Sequence, residues 1–126
     1  PGKGETKTRR DQLSAIIEGC PNDHLVIVGD TNTRNSEIKQ IRDAGLFAPN
    51  PPRHTWDSFK NRFHLGGPRF RANFTRCFIH PDIEVLNLKV IDTPLKRESK
   101  QFFISDHFSL CGTLGIPTPS NYHHKL

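Results

Sequence analysis

The segment Leu25-Val26-Ile27-Val28, followed by Gly29-Asp30-Thr31-Asn32, constrains this chain more than any other. Four consecutive apolar residues, mostly β-branched, have no helical period, and the glycine and short polar residues behind them end the run. The pattern predicts a strand buried on both faces, which requires a sheet covered on both sides. The strand ends in a carboxylate and an amide, so a rigid element would hold both groups in place. A second patch repeats this form: Ser105-Asp106-His107 precedes the alternating run Phe108-Ser109-Leu110-Cys111-Gly112-Thr113-Leu114. An acid and an amide from one strand end, meeting an acid and an imidazole from another, suit the cleavage of a phosphate ester beside a metal ion.

Period and punctuation place the remaining elements. Residues 5–20 read as a helix, with Leu13, Ile16 and Ile17 on one face and Gly19 and Pro21 ending it. Ser36 is a candidate cap for a second helix through Ile38 and Ile41 to Gly45. Pro49-Asn50-Pro51-Pro52 makes a loop, and a strand follows around Thr55-Trp56. Gly66-Gly67-Pro68 makes a turn, Arg69 to Ile79 alternates as one strand, and His80-Pro81-Asp82 breaks it. Val85 to Ile91 forms the next strand, Thr93 to Lys100 a charged mobile loop, and Phe108 to Leu114 the last strand. The sum is an α/β fold of about five strands and two helices, with residues 1–115 as one unit and 116–126 as a tail. The first helix would cover one sheet face and leave the other apolar and open, which favours association.

Composition narrows the function classes. The chain has 126 residues, a net charge of +5 and no methionine, and its opening Pro1-Gly2-Lys3-Gly4 reads as the middle of a loop. The expectation is a piece of a longer protein. No apolar run approaches the ~20 residues of a membrane-crossing helix, and no signal sequence opens the chain, so an intracellular protein, nuclear or cytoplasmic, is expected. Cys20, Cys77 and Cys111 lack metal spacing and predict three reduced, buried thiols. Arg53, Lys60, Arg62, Arg69, Arg71 and Arg76 gather in one stretch with Trp56, Phe59, Phe63 and Phe70 between them. Cations for phosphates and rings for bases suit a nucleic-acid strand; a solvated basic face over a phenylalanine core is the alternative.

Three segments carry a family resemblance: Gly29-Asp30-Thr31-Asn32 with Arg34, His54-Thr55-Trp56-Asp57-Ser58, and Ser105-Asp106-His107. In this order they resemble the C-terminal half of the endonuclease/exonuclease/phosphatase superfamily, and within it the 5′-tyrosyl-DNA phosphodiesterases, over Arg9 to Leu114. The resemblance implies half of a four-layer α/β/β/α sandwich, lacking its N-terminal half or a partner to cover the exposed sheet. It implies a Mg²⁺- or Mn²⁺-dependent phosphodiesterase acting on nucleic-acid ends, DNA above all, with a 5′-phosphotyrosyl adduct as one substrate. Asp30 matches the catalytic acid that orients water, and Asn32 a donor to the phosphate. His107 matches the imidazole that stabilises developing charge, and Asp106 the acid that approaches the metal. Arg34, Trp56 and Ser105 match substrate-binding positions: Arg34 for a backbone phosphate, Trp56 for the channel wall. The lone Trp is alternatively a core residue.

Two departures bear on activity. The family takes its principal metal-binding glutamate and a phosphate-contacting asparagine from the first half of the domain. Neither has a counterpart before Asp30, since Glu5 and Glu18 lie in the wrong context. This piece alone is expected to bind metal poorly and to be inactive. The family also carries an acid, in an Arg-Phe-Asp-Arg-type strand, that orients the histidine. Here Asn73-Phe74-Thr75-Arg76-Cys77-Phe78 aligns with it, so either Thr75 stands in that place or another acid such as Asp57 serves. A non-catalytic nucleic-acid-binding or interaction module on the same scaffold is the rival reading.

Overall fold

The computed structural model describes residues 5–21, 24–61, 63 and 67–117. In order, the elements are helix α1 (Thr6–Gly19), strand β1 (Val26–Asp30), a 3₁₀ turn (Asn35–Glu37) and helix α2 (Ile38–Asp43). Strands β2 (Trp56–Asp57), β3 (Arg71–Ala72), β4 (Thr75–Ile79) and β5 (Glu84–Ile91) follow. The last are β6 (Leu95–Arg97), β7 (Lys100–Phe102) and β8 (Ser109–Gly115). The strands pair in four antiparallel ladders: β1–β4, β2–β3, β5–β8 and β6–β7.

The α/β class and both helices match the sequence pattern, but the strands are shorter and more numerous than expected. Arg69 to Ile79 does not run as one strand, because Asn73 and Phe74 part β3 from β4 and the two pieces enter different ladders. The segment read as a mobile charged loop is instead the β6–β7 hairpin. Glu98 and Ser99 close it at φ 50° and 68°, the paired positive values of the two-residue turn that matches strand twist. Asn-Gly would announce such a turn; Glu-Ser does not. Ser36 sits inside the 3₁₀ turn rather than capping α2, and neither helical segment there has a side-chain cap. Gly45, at φ 85°, ends that segment as expected. Arg62, Gly66 and the tail from residue 118 lie outside the described residues.

The core is built around β4, not β1. Phe78 faces the helical layer and packs with Leu13, Ile41, Leu46 and Ala48, with Ile17 and Ile27 against them. Cys77 and Ile79, on the opposite face by strand alternation, pack with Ile83, Val85, Leu110 and Leu114. β4 is therefore the strand buried on both sides. β1 was expected to be so, but Val28 is 63% exposed while Ile27 alone reaches the helical core. Val26 and Val28 border a cavity of about 170 Å³ that Leu88, Leu110 and Leu114 only partly close. Leu86 and Ile91 are also exposed, so apolar sheet surface is left open. Of the three thiols only Cys77 is buried; Cys20 and Cys111 are exposed, against expectation, and all three are free. No helix among the described residues is long and apolar enough to cross a membrane.

One ion pair ties the layers together. Arg9 on α1 donates to Glu37 through Nη2 at 2.5 Å and Nε at 3.0 Å, and both side chains are nearly fully covered. The hydrogen bond from Arg9 holds the Glu37 carboxyl below its usual range, against the opposing effect of burial. Glu37 also lends its charge to the buried Arg76 guanidinium on β4. A carboxyl whose folded pKa is depressed stabilises the fold above its unfolded pKa, and that contribution fades as pH falls through the folded value. Glu37→Gln is therefore expected to destabilise the chain at pH 7 by about 3–5 kcal/mol, the cost of stranding a buried cation. Urea unfolding should show this gap narrowing once the pH drops below about 4.5.

Candidate active site

The β1–β4 ladder sets Asp30 directly opposite Thr75. Residues paired in this way project from the same sheet face, so both side chains belong to one surface. Thr75 Oγ1 lies 2.9 Å from His107 Nδ1, and Asp30 Oδ2 lies 3.4 Å from His107 Nε2. Asp106 Oδ1 is 4.0 Å from the same nitrogen. His107 is mostly covered, whereas the two carboxylates are about half exposed. The imidazole is thus clamped at Nδ1 by a hydroxyl while Nε2 faces two acids at the edge of solvent. A threonine hydroxyl can donate to Nδ1 or accept from it, so it fixes the ring without adding charge.

Buried polar residues carry this arrangement. Thr55, fully buried, accepts the Thr75 N–H on its hydroxyl and the Phe108 N–H on its carbonyl, which locks the start of β4 to the residue after His107. Asn73 Oδ1 accepts the Thr55 N–H at 3.4 Å, and the buried Asn61 donates to the Ser105 carbonyl at 2.8 Å. Thr55 stands within the quoted motif, so only its burial was missed; Asn61 had no sequence signal. Trp56 places its ring edge-on to His107, with centroids 5.1 Å apart, and stacks on Phe70 at 5.7 Å. It also meets Phe74 edge-on.

The structure brings Asp30, Trp56, Asp106 and His107 together, with Asn32, Ser105 and Arg34 making local bonds beside them. Asn32 was expected to share a side with Asp30 along an extended chain. It sits instead at φ 51°, where its N–H donates to Asp30 Oδ1 at 3.1 Å, so strand alternation ends at Asp30. The Ser105 hydroxyl accepts the His107 N–H and donates to Asp106, which shapes the turn, and Ser105 lines the same pocket as His107. Arg34 donates to the Asn32 carbonyl and lies over the Phe74 ring, 4.7 Å from its centroid. It borders a cavity of about 300 Å³ with His54, Phe70, Arg71 and Phe74. Asp57 does not orient His107. Burial would raise its carboxyl, but the hydrogen bonds from Arg71 and from the Lys60 and Phe59 amides outweigh that and hold it low.

The basic stretch is less available to a ligand than its composition suggests. Arg53 and Lys60 both pair with Asp92, and Arg71 pairs with Asp57. Arg76 is 1% exposed and donates to Thr33 and Asn35, so it is a structural cation. The pocket that holds Asp30, Thr75 and His107 encloses about 480 Å³, and its far wall is apolar, with Leu95, Phe102, Phe103 and Ile104. Among the described residues no group of three or more His, Cys, Asp or Glu side chains could hold a metal ion. If Thr75 holds the ring as described, Thr75→Val should cost about 1 kcal/mol in urea unfolding, with Thr75→Ser restoring most of it.

No family model and no curated protein matches the chain by sequence. Solved structures match it in three dimensions. The TDP2 of D. rerio, complexed with a single-strand DNA product, superposes with a TM-score of 0.70 at 20% identity, over 92% of this chain and 53% of that one. A D. rerio TDP2 humanized by 14 mutations gives 0.65 at 21%, covering 91% and 51%. A truncated Caenorhabditis elegans TDP2 gives 0.59 at 23%, covering 87% and 48%. The chain spans about half the length of these structures. It therefore shares, over that half, the α/β fold of the TDP2 structures.

Proposed function

We propose that this chain forms the water-activating and phosphate-binding side of a metal-dependent phosphodiesterase that acts on nucleic-acid ends, with 5′-phosphotyrosyl DNA as a substrate. One observation carries the reading: Asp30 and Asp106 both lie within 4.0 Å of one His107 nitrogen, and Asp30 and His107 line one pocket. Asp30, half exposed, orients water and accepts its proton. His107 Nε2, held from behind by Thr75, donates to the phosphoryl oxygen as charge develops. Asn32 donates to the phosphate, Arg34 holds the next backbone phosphate, and Trp56 walls the channel.

Asp106 would hold a Mg²⁺ or Mn²⁺ ion, whose preference for hard oxygen donors its carboxylate suits. Such an ion neutralises charge on the phosphoryl oxygens. One or two carboxylates are a partial ligand set, so the chain by itself is proposed to be inactive and to need a covering partner on its open sheet face. A nuclear or cytoplasmic location would accord with a DNA substrate. A second reading has its own support: Thr75 offers His107 no charge, and the chain spans half the fold, both of which suit a nucleic-acid-binding module without catalysis.

An assay of the full-length protein containing this chain, with Mg²⁺ and a 5′-phosphotyrosyl oligonucleotide, separates the two. Release of tyrosine is expected, with Asp30→Ala and His107→Ala each lowering the rate about 10²-fold or more. Full activity in either variant contradicts the mechanism. Salt-sensitive binding of single-stranded DNA, indifferent to Mg²⁺ and to Asp30 and without turnover, assigns the module instead.

A further inference from the structure

The β6–β7 hairpin breaks three local rules within eight residues. Arg97 and Lys100 are directly opposed across its strands, and like charges in that position repel. Glu98 and Ser99 both hold positive φ, a conformation that glycine or asparagine adopts more cheaply. Leu95 and Phe102, also directly opposed, leave much of their apolar surface in water. Such conflicts persist where a ligand repays them.

The pairing shows where that ligand lies. Strand alternation puts Leu95, Arg97, Lys100 and Phe102 on one face of the hairpin. Leu95 and Phe102 line the pocket that contains Asp30 and His107. Arg97 and Lys100 therefore continue that pocket's wall, roughly 7 Å further out along the strands. Lys96, Arg97 and Lys100 are exposed and make no ion pair among the described residues, unlike Arg53, Lys60 and Arg71. Arg34 borders a separate cavity of about 300 Å³, whose lining shares no residue with the His107 pocket.

We infer that the β6–β7 hairpin is a second nucleic-acid contact, gripping phosphates beside the His107 pocket and apart from the Arg34 cavity. The inference rests on the phosphodiesterase reading and extends it: the substrate backbone runs across the pocket, with phosphates on both sides of the reacting one. Arg97 and Lys100 bind those phosphates, and Leu95, Phe102 and Ile104 pack against the intervening nucleoside. An acidic protein segment would satisfy the charge alone. The nucleic acid is favoured because the hairpin shares its wall with Asp30 and His107.

Fluorescence anisotropy on the 126-residue chain tests this with a DNA strand of about 12 nucleotides, long enough to cross one binding groove, and with a dinucleotide. Removing two phosphate contacts from a single strand lowers the salt slope by about 1.4 and the affinity at 0.1 M salt by about 25-fold. Arg97→Gln with Lys100→Gln should have this effect on the long strand and leave the dinucleotide unaffected. Arg97→Glu should also weaken the strand while raising the thermal midpoint, because it turns a repulsive cross-strand pair into an attractive one; a merely structural hairpin would not separate the two readouts. Unchanged strand binding in these variants, with Arg34→Ala still weakening it, overturns the hairpin's role and leaves the proposed function standing. Indifference to all three changes overturns both. Equal displacement of the strand by a polyglutamate peptide, lost in the same variants, assigns the hairpin to an acidic protein instead.

Discussion

The five-residue pairing of β1 with β4 is the constraint on which the rest depends. Its register sets Asp30 against Thr75 and Val28 against Cys77 on one face, and Ile27 against Phe78 and Gly29 against Arg76 on the other. A slip of one residue would turn every side chain to the opposite face. Thr75 would then leave His107, Phe78 would leave the helical core, and Arg76 would lose Thr33 and Asn35. Core and site are therefore specified by the same hydrogen-bond ladder. Their common support is the buried Thr55, which ties β4 to the chain just after His107.

The charge of the chain is distributed by function rather than by sequence neighbourhood. Cations close together in sequence are spent on Asp57 and Asp92 or buried against Glu37. Lys96, Arg97 and Lys100, which make no ion pair among the described residues, stand on a hairpin that joins the site only through folding. Open apolar surface at Val28, Leu86 and Ile91 fits a chain that spans half the fold of the structures it matches.

The helices, the paired strand-end patches and the α/β class were legible in the sequence because each follows from a local period or a local motif. What was not legible depended on pairing. β1 reads as doubly buried, yet β4 takes that role, because burial depends on what stacks against each face and the run Val26-Ile27-Val28 does not encode it. The β6–β7 hairpin was hidden by a turn built from Glu98 and Ser99 rather than from Asn and Gly. Thr75 could be aligned with the histidine-orienting position, but only the structure shows its hydroxyl on Nδ1 and Asp57 occupied by Arg71. Asn32 and Ser105 share their motifs with site residues, yet their bonds are local ones that shape the turns.

β1, β2, β4 and the turn before β8 converge on one imidazole. The most direct measurement is a set of nuclear Overhauser contacts from the His107 ring protons in the isotopically labelled chain. Cross-peaks are expected to the Trp56 indole, whose centroid is 5.1 Å away, and to the Thr75 methyl group beside the 2.9 Å hydrogen bond. Cross-peaks to neither, in a chain whose Ile27–Phe78 contacts are intact, would mean that the sheet forms without assembling the site.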